Sequence, residues 1–369
     1  MCDISNSMSN AKLQFGTDAK ADLVGASPWR LPAGVGRWSM GAGISGRFDL
    51  VRSVMATAAI VIALAGCSSS VHQARTTITG APASHGFPVS VRDDLGHSIT
   101  LAAPPRRIVS LIPSVTETLF AIGCGPQVVA DTVYDDYPGA AVKLPKIGSG
   151  TRPSAESILA FHPDLVVATD GNPPELLNEL VHLHVPVFAV HPRTVMQVEE
   201  CIRRLGLLTG HSEQANHVAA RMEVRVDRIE KAVASDSSHP VTGLIEVGYN
   251  PLFVAGPSSF VSDVFRLAGG RNVAPAGGDY EELSAEGVLA LRPQTIFLAA
   301  EVNPSISSVR NRPGWSQVAA VRSGRVYSEE ASLLDRRGPR VVLGLQDLAM
   351  KLYPQAFAVP ESNSRRGAH

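Results

Sequence analysis

Two stretches of the chain, 130 residues apart, have nearly the same sequence: SAESILAFHP at 154–163 and SAEGVLALRP at 284–293. Each is followed by an apolar run, at 165–168 and 296–299. The pattern predicts a short helix that leads into a buried strand in each copy. Repeats at intervals of about 20 to 50 residues are typical of solenoids, whereas a single duplication at this longer spacing predicts two similar lobes.

A glutamate occupies the same position in both copies, Glu156 in the first and Glu286 in the second. Each lies in the first turn of its predicted helix, where the helix dipole favours a carboxylate, so a purely structural role is one interpretation. The other is a pair of surface contacts. Two equivalent carboxylates, one on each lobe, would suit a partner with two-fold symmetry.

The length and composition are those of a globular protein. A chain of 369 residues, of which 44% are hydrophobic and 18% charged, can bury one large core or two of ordinary size. The formal net charge of -1 provides no basic field, which excludes a nucleic-acid partner.

Apolar strands alternate with amphipathic helices after residue 87, and this alternation predicts parallel sheets. Ser114 and Glu117 follow the first strand and have the spacing of a capping box, which predicts a helix that ends at Gly123. The predicted strands are 107–111, 128–130, 165–168 and 187–190 in the first half, and 244–247, 296–299 and 325–327 in the second.

The longest helical pattern begins at Ser212 and continues to Val233, with apolar residues at steps of three and four. One helix of about six turns is expected to join the lobes and to limit them to small closures. The predicted fold class is α/β, with two Rossmann-like lobes that contain parallel sheets and are joined by one long backbone helix. The predicted parts are a leader and signal peptide (1–66), a flexible tether (67–86), an N-terminal lobe (87–210), the connecting helix (211–236), a C-terminal lobe (237–356) and a disordered tail (357–369).

A 12-residue apolar run at 54–65 follows Arg47 and Arg52 and is too short to span a bilayer, which indicates a signal-peptide core. The sequence that ends it, Leu-Ala-Gly-Cys at 64–67, resembles the bacterial lipobox. This resemblance implies that Cys67 is acylated, and a diacylated cysteine would anchor the protein stably. The expected location is the outer side of the cytoplasmic membrane or the periplasm.

Other polar residues favour ordinary structural roles. His182 and His184, together with His162 and His191, raise the possibility of a zinc site, but their position around a helix-to-strand turn favours surface histidines. The pair Asp135–Asp136 is expected in a solvated turn. Cys124 and Cys201 are expected to be buried free thiols. No hydrolase or nucleotide-binding motif appears in the mature region, so no catalytic residue, metal or cofactor is predicted.

Several motifs in order resemble the helical-backbone substrate-binding proteins of ABC importers, which capture cobalamin, haem or ferric siderophores. They are RRIVSLIPSVTE at 106–117, YDDYP at 134–138, LPKIG at 144–148, PDLV at 163–166, GGRNV at 269–273 and RGPR at 337–340. Within this family the chain is most similar to the cobalamin binders. The resemblance implies that Glu156 and Glu286 dock on arginine clusters of a dimeric permease that works with its ATPase.

The same resemblance implies that Tyr134, Phe253, Tyr280 and Arg336 contact a cobalamin-like corrinoid. At Gly150 and Thr169 the chain lacks the tryptophans that cobalamin binders often carry, which permits a differently shaped ligand. A ferric siderophore or haem receptor is therefore the alternative within the family, and a zinc or manganese receptor the alternative outside it. The protein is expected to be a monomer without enzymatic activity.

Overall fold

The computed structural model describes residues 86–149, 153–236, 239–299 and 305–358. The predicted signal peptide, Cys67 and nearly all of the predicted tether and tail lie outside these ranges, as does Gly150. The strands are β1 (Val89–Arg92), β2 (Ser98–Leu101), β3 (Ile108–Ser110), β4 (Val128–Ala130), β5 (Leu165–Thr169), β6 (Val187–Val190), β7 (Val241–Gly248), β8 (Phe253–Ala255), β9 (Gly270–Asn272), β10 (Tyr280–Glu282), β11 (Thr295–Ala299) and β12 (Val326–Glu329). The helices are α1 (Pro113–Ala121), α2 (Ala155–Leu159), α3 (Pro174–His182), α4 (Val195–Thr209), α5 (Ser212–Asp236), α6 (Phe260–Leu267), α7 (Ala285–Leu291), α8 (Ile306–Arg310), α9 (Ala319–Arg322), α10 (Ala331–Leu334) and α11 (Val341–Leu352).

Two sheets lie on either side of α5 in the sequence, and their parallel strands have matching orders. The N-terminal sheet has the order β4-β3-β5-β6, with every pair parallel. In the C-terminal sheet, β9, β7, β11 and β12 repeat this order in parallel. The predicted strands are confirmed with shifted ends, and so is the two-lobed α/β fold. The hairpin of β1 and β2, the parallel strand β9 and the antiparallel strands β8 and β10 were not predicted.

The duplicated segment has the same local structure in both lobes. The hydroxyls of Ser154 and Ser284 accept hydrogen bonds of 3.1 Å from the backbone N–H groups of Ser157 and Gly287, which caps α2 and α7. Each helix leads to a central strand of its sheet, β5 or β11. The residues before the two prolines, His162 and Arg292, share positive φ angles of 45° and 48°. The sequence repeat is therefore a repeat of backbone geometry.

The long connecting helix is confirmed as α5, which spans 25 residues. It packs closely on α4. A methyl group added at Gly206 of α4 would lie only 2.2 Å from the Cβ atom of Ala215 in α5, so the two helices leave no room for a side chain there. One continuous hydrophobic core includes α5 together with residues from both sheets, among them Phe188 and Phe297. Since a shared core resists relative motion of the parts that it joins, this arrangement favours small closures of the lobes.

The predicted capping box at Ser114 and Glu117 is wrong. Helix α1 begins at Pro113, and its N-cap residue, Ile112, has no side-chain hydrogen bond to the helix. Proline fixes the backbone angle of the first helical residue, so the helix begins two residues earlier than predicted and Ser114 lies inside it. Glu117 then falls in the second turn, where its carboxylate is buried and bonds to two arginines.

Cys124 and Cys201 are buried free thiols, as predicted. Burial raises the pKa of the Cys124 thiol to about 11. Among the helices in the described ranges, none combines the length and the apolar character needed to cross a bilayer.

Candidate ligand-binding cleft

A buried cluster of polar groups holds the loop that follows β4. The Lys146 ammonium lies 2.7 Å from a carboxylate oxygen of Asp131 and donates to the carbonyl oxygen of Ala141 at 3.1 Å. Asp135 accepts a hydrogen bond of 2.9 Å from the backbone N–H of Thr132 and is buried. The prediction of a solvated turn is therefore wrong for Asp135, because the loop folds back and turns this carboxylate inward.

The two neighbours of Asp135 are exposed to solvent. Tyr134, a predicted ligand contact, is 54% exposed, and its backbone N–H donates to the hydroxyl of Thr132 at 3.2 Å. Asp136 is exposed as predicted. The buried Asp135 thus anchors a loop that presents an aromatic ring and a carboxylate at the surface.

Arg336, the predicted polar residue of the cleft, connects the two lobes. Its Nη1 donates to Oε1 of Glu117 at 3.2 Å, and its Nη2 donates to Oδ2 of Asp136 at 3.1 Å. Nη1 also donates to Oδ1 of Asp136, so the guanidinium and this carboxylate form a two-pronged pair. Burial opposes the charge of Arg336, but its hydrogen bonds to Asp136 and Glu117 raise its pKa above the usual range. The hydrogen bond from Arg336 also lowers the pKa of Asp136.

Arg340 is a second C-lobe arginine bound to the same glutamate. Its Nε and Nη2 donate to the two carboxylate oxygens of Glu117 at 2.8 and 2.6 Å. The Arg340 guanidinium also lies 4.1 Å from the centre of the Tyr137 ring, which is a cation–π distance. Sequence reasoning missed the roles of Glu117 and Arg340. The sequence signal available for Glu117 was that it is the one charged residue of helix α1.

A second group of polar residues also spans the lobes. Nδ1 of His191 lies 2.6 Å from a carboxylate oxygen of Asp170 and 3.1 Å from Nη1 of Arg337. Nearby in the sequence, Arg193 of the N-terminal lobe pairs with Asp279 of the C-terminal lobe. The cleft side of each lobe therefore contributes both acidic and basic groups.

The histidines differ in their surroundings. His162, His182 and His184 are exposed, as predicted. His191 is partly buried in the cross-lobe group, so the surface interpretation is wrong for this residue. Across the described residues, no cluster of three or more His, Cys, Asp or Glu side chains could hold a metal ion.

Phe253 and Tyr280, the other predicted ligand contacts, lie on neighbouring antiparallel strands. Tyr280 pairs with Ala255, and Phe253 pairs with Glu282. Because side chains alternate along a strand and paired residues share a face, the two aromatic rings lie on the same face of the sheet. Both residues are half-buried, and burial raises the pKa of Tyr280 to about 12.

The charge of Asp335 also raises the pKa of Tyr280, and the charge of Arg337 lowers it. Phe253 and Tyr280 therefore share one face of the C-terminal sheet, while Arg336 pairs with Asp136, two residues after Tyr134. Glu156 and Glu286 lie apart from these contacts in the sequence, in the first turns of α2 and α7, and both side chains are exposed.

The chain is similar to known proteins over most of its described length. Residues 108–332 match a family described as periplasmic binding protein. The chain is 28% identical over 302 residues to YvrC of Bacillus subtilis, described as an ABC transporter substrate-binding lipoprotein, with coverage of 80% of this chain and 95% of that protein. It is 31% identical over 265 residues to the vitamin B12-binding protein of Yersinia pestis, with coverage of 71% and 91%.

Solved structures show the same relationship. The vitamin B12-binding protein BtuF of Vibrio cholerae superposes with a TM-score of 0.60 at 28% identity, covering 68% of this chain and 97% of that one. The haem-binding protein RhuT of Roseiflexus sp. RS-1 superposes with a TM-score of 0.62 at 28% identity, covering 68% and 99%. Similarity of this extent is found with binders of two different ligands.

Proposed function

This chain belongs to the periplasmic binding protein family, and on that premise we propose that it captures a corrinoid such as cobalamin for an ABC importer. The class of protein is that of ABC transporter substrate-binding proteins for vitamin B12, haem and iron compounds. Its action is expected to be capture and delivery without covalent chemistry. The lobes hold the ligand, the permease binds the loaded receptor, and the ligand passes into the permease.

The observation that supports the choice of a corrinoid is the presence of aromatic side chains in both lobes, together with a guanidinium that joins the lobes. The N-terminal lobe contributes Tyr134, and the C-terminal lobe contributes Phe253, Tyr280 and Arg336. A large rigid ring gains most from flat apolar contacts on both sides, while a few polar groups fix its orientation. The guanidinium could bind the amides or the phosphate of a corrinoid.

Haem or a ferric siderophore is the second candidate. Three arginines, Arg336, Arg337 and Arg340, lie within five residues of one another at the cleft, and such a group could bind the carboxylates of haem. The haem-binding structure RhuT superposes as well as BtuF does. However, Arg336 and Arg340 are each paired with a carboxylate of the protein, which favours a ligand with less negative charge.

The remaining parts of the proposal concern the cell envelope. Glu156 and Glu286 dock on the two subunits of the permease, because they are exposed at matching positions of the two lobes. Cys67 anchors the protein through lipid on the outer side of the cytoplasmic membrane or in the periplasm, in line with the lipoprotein description of YvrC. A monomer would suffice, since both docking helices belong to one chain.

Isothermal titration calorimetry of the full-length protein in detergent tests the ligand. Cyanocobalamin, cobinamide, haemin and a panel of ferric siderophores are titrated in parallel. We expect heat with the corrinoids, and about tenfold weaker binding for Tyr134→Ala and for Tyr280→Ala, since buried aromatic contacts are often worth more than about 1 kcal/mol. Glu213→Gln, an exposed change at the start of α5, is the control and should bind as the wild type does. Heat with a siderophore or haemin alone would overturn the corrinoid assignment.

A further inference from the structure

Arg336 has two carboxylate partners that differ sharply in their exposure. The side chain of Glu117 is 2% exposed, whereas that of Asp136 is 66% exposed. Glu117 is also bound by Arg340, but Arg336 is the partner of Asp136 in both hydrogen bonds that its carboxylate oxygens accept. One partner is therefore fixed in the core, and the other reaches in from the surface.

This difference in exposure determines which partner can leave. Removing one member of a buried ion pair is costly, because the other charge is left without compensation in a dry environment. The pair of Arg336 with Asp136 is less buried, since the side chain of Asp136 is 66% exposed and water can replace part of the lost contact. Asp136 can therefore exchange with another anion more readily than Glu117 can.

The charges show what kind of anion fits. While both carboxylates are present, Glu117 and Asp136 balance the two guanidinium groups of Arg336 and Arg340. Without Asp136, one positive charge remains uncompensated. The vacated guanidinium edge presents two parallel N–H groups, a geometry that matches two oxygens of a phosphate as well as those of a carboxylate.

We infer that Asp136 occupies the anion-binding edge of Arg336 and that a singly charged phosphodiester of the ligand displaces it. Asp136 then competes with the ligand's anion for Arg336. It weakens the binding of a ligand that contains a phosphodiester and leaves the binding of a ligand without one nearly unchanged. The identity of the ligand rests on the proposed function, because a corrinoid with its nucleotide loop contains a phosphodiester and cobinamide does not. The anion site itself does not depend on that identity.

Inorganic phosphate tests the anion site without any corrinoid. The melting temperature is measured in millimolar phosphate and in chloride of the same ionic strength. Asp136→Asn should gain stability from phosphate, the wild type should gain much less, and the double variant Asp136→Asn/Arg336→Gln should gain nothing. Asp236→Asn, the same chemical change at the exposed end of α5, should behave as the wild type does. Equal responses of the single and double variants, or of the wild type and Asp136→Asn, would refute the inference.

A second measurement compares cyanocobalamin with cobinamide by calorimetry. For Asp136→Asn we expect about tenfold tighter binding of cyanocobalamin, which corresponds to about 1.4 kcal/mol, and a change of less than about twofold for cobinamide. An equal gain for both ligands would show that Asp136 does not compete with the phosphodiester. If the wild type binds neither corrinoid, the proposed function fails, whereas the phosphate measurement still decides whether the anion site exists.

Discussion

The two lobes have the same backbone plan but differ in what they bury at matched positions. In the C-terminal lobe, Glu246 pairs with Leu298. The matching position of the N-terminal lobe is Leu111, which lies one residue beyond the last pair of β3 with β5. Similarly, Val190 pairs with Thr169 at the position where Glu329 pairs with Ala299. At both positions the N-terminal lobe buries an aliphatic side chain and the C-terminal lobe buries a glutamate.

Each of these glutamates has a basic partner within its own lobe. Glu246 forms two hydrogen bonds of 2.7 Å with Arg312, whose guanidinium lies between the rings of Tyr249 and Trp315. Glu329 accepts a hydrogen bond from Lys351 at 2.5 Å. The comparison teaches that strand register and the two short helices define the repeated fold, whereas the buried residues at matched positions differ between the lobes together with their partners.

Making the C-terminal lobe resemble the N-terminal lobe should have the largest effect. Glu246→Leu leaves the Arg312 guanidinium buried without its carboxylate, so we expect the free energy of unfolding to fall by about 3 to 5 kcal/mol. Adding Arg312→Met should recover most of this loss, because replacing both members of a buried pair with apolar residues is often neutral. Denaturant unfolding measures both variants. A double variant as unstable as Glu246→Leu would contradict the argument.

The second buried glutamate should make stability depend on pH. Burial raises the pKa of Glu329 from 4.5 to about 7. Between these values the folded protein keeps a proton that the unfolded chain releases, so stability should fall as the pH rises from about 4.5 to 7. The Glu329→Gln variant should lack this loss, which is on the order of 3 kcal/mol.

Unfolding by urea at several pH values measures this difference. The control is Glu330→Gln, an identical substitution at the exposed neighbouring residue, and it should retain the fall seen in the wild type. The same pH profile for Glu329→Gln and the wild type would show that Glu329 titrates normally.

The duplicated surface is tested by reversing the charge of both exposed glutamates. Glu156→Lys combined with Glu286→Lys should lower uptake of labelled cyanocobalamin by about 100-fold, equivalent to about 2.7 kcal/mol, because repulsion replaces attraction at the permease. Calorimetric affinity for the ligand should stay within about twofold, and each single reversal should have an intermediate effect on uptake. Undiminished uptake by the double variant would remove the docking role.

The smallest effect is expected where a buried glutamate is shared between the lobes. Glu117→Gln leaves two partly exposed arginines with a neutral partner, and Asp136 still pairs with one of them, so the free energy of unfolding should fall by about 2 kcal/mol. The same substitution at exposed Glu156 should change it by less than about 0.5 kcal/mol. Thermal or denaturant unfolding distinguishes the two, and equal losses would mean that burial does not matter here.

Much of the fold could be predicted because its signals are local. The apolar period of α5 and the apolar runs of the two sheets reflect the burial of neighbouring residues along the chain. The helix start at Pro113 was mispredicted because two N-terminal signals overlapped, and proline overrode the apparent capping box. The antiparallel strands β8 and β10 are only three residues long, too short for a periodic pattern to be recognised.

The ligand contacts stay predictions from resemblance to a family. Arg336 pairs with Asp136, two residues after Tyr134, and the sequence contained no signal for this pair, because its members are separated by 200 positions. The inward turn of Asp135 likewise depends on Thr132 and the polar cluster around Lys146. The pair of Arg336 with Asp136 depends on long-range folding, whereas the Asp135 contacts are closer in sequence but follow no regular period that could be recognised.

The sequence by itself determined the duplicated helix and strand, the exposed pair of glutamates and the long connecting helix, because capping and apolar periodicity act between residues close along the chain. Only the tertiary structure decided the pairing of charges in the cleft. Glu117 meets Arg340, Asp136 meets Arg336 and His191 meets Arg337 only when the lobes come together. Partners for buried charges come from whichever surface packs against them, so their identity depends on the three-dimensional arrangement of the lobes.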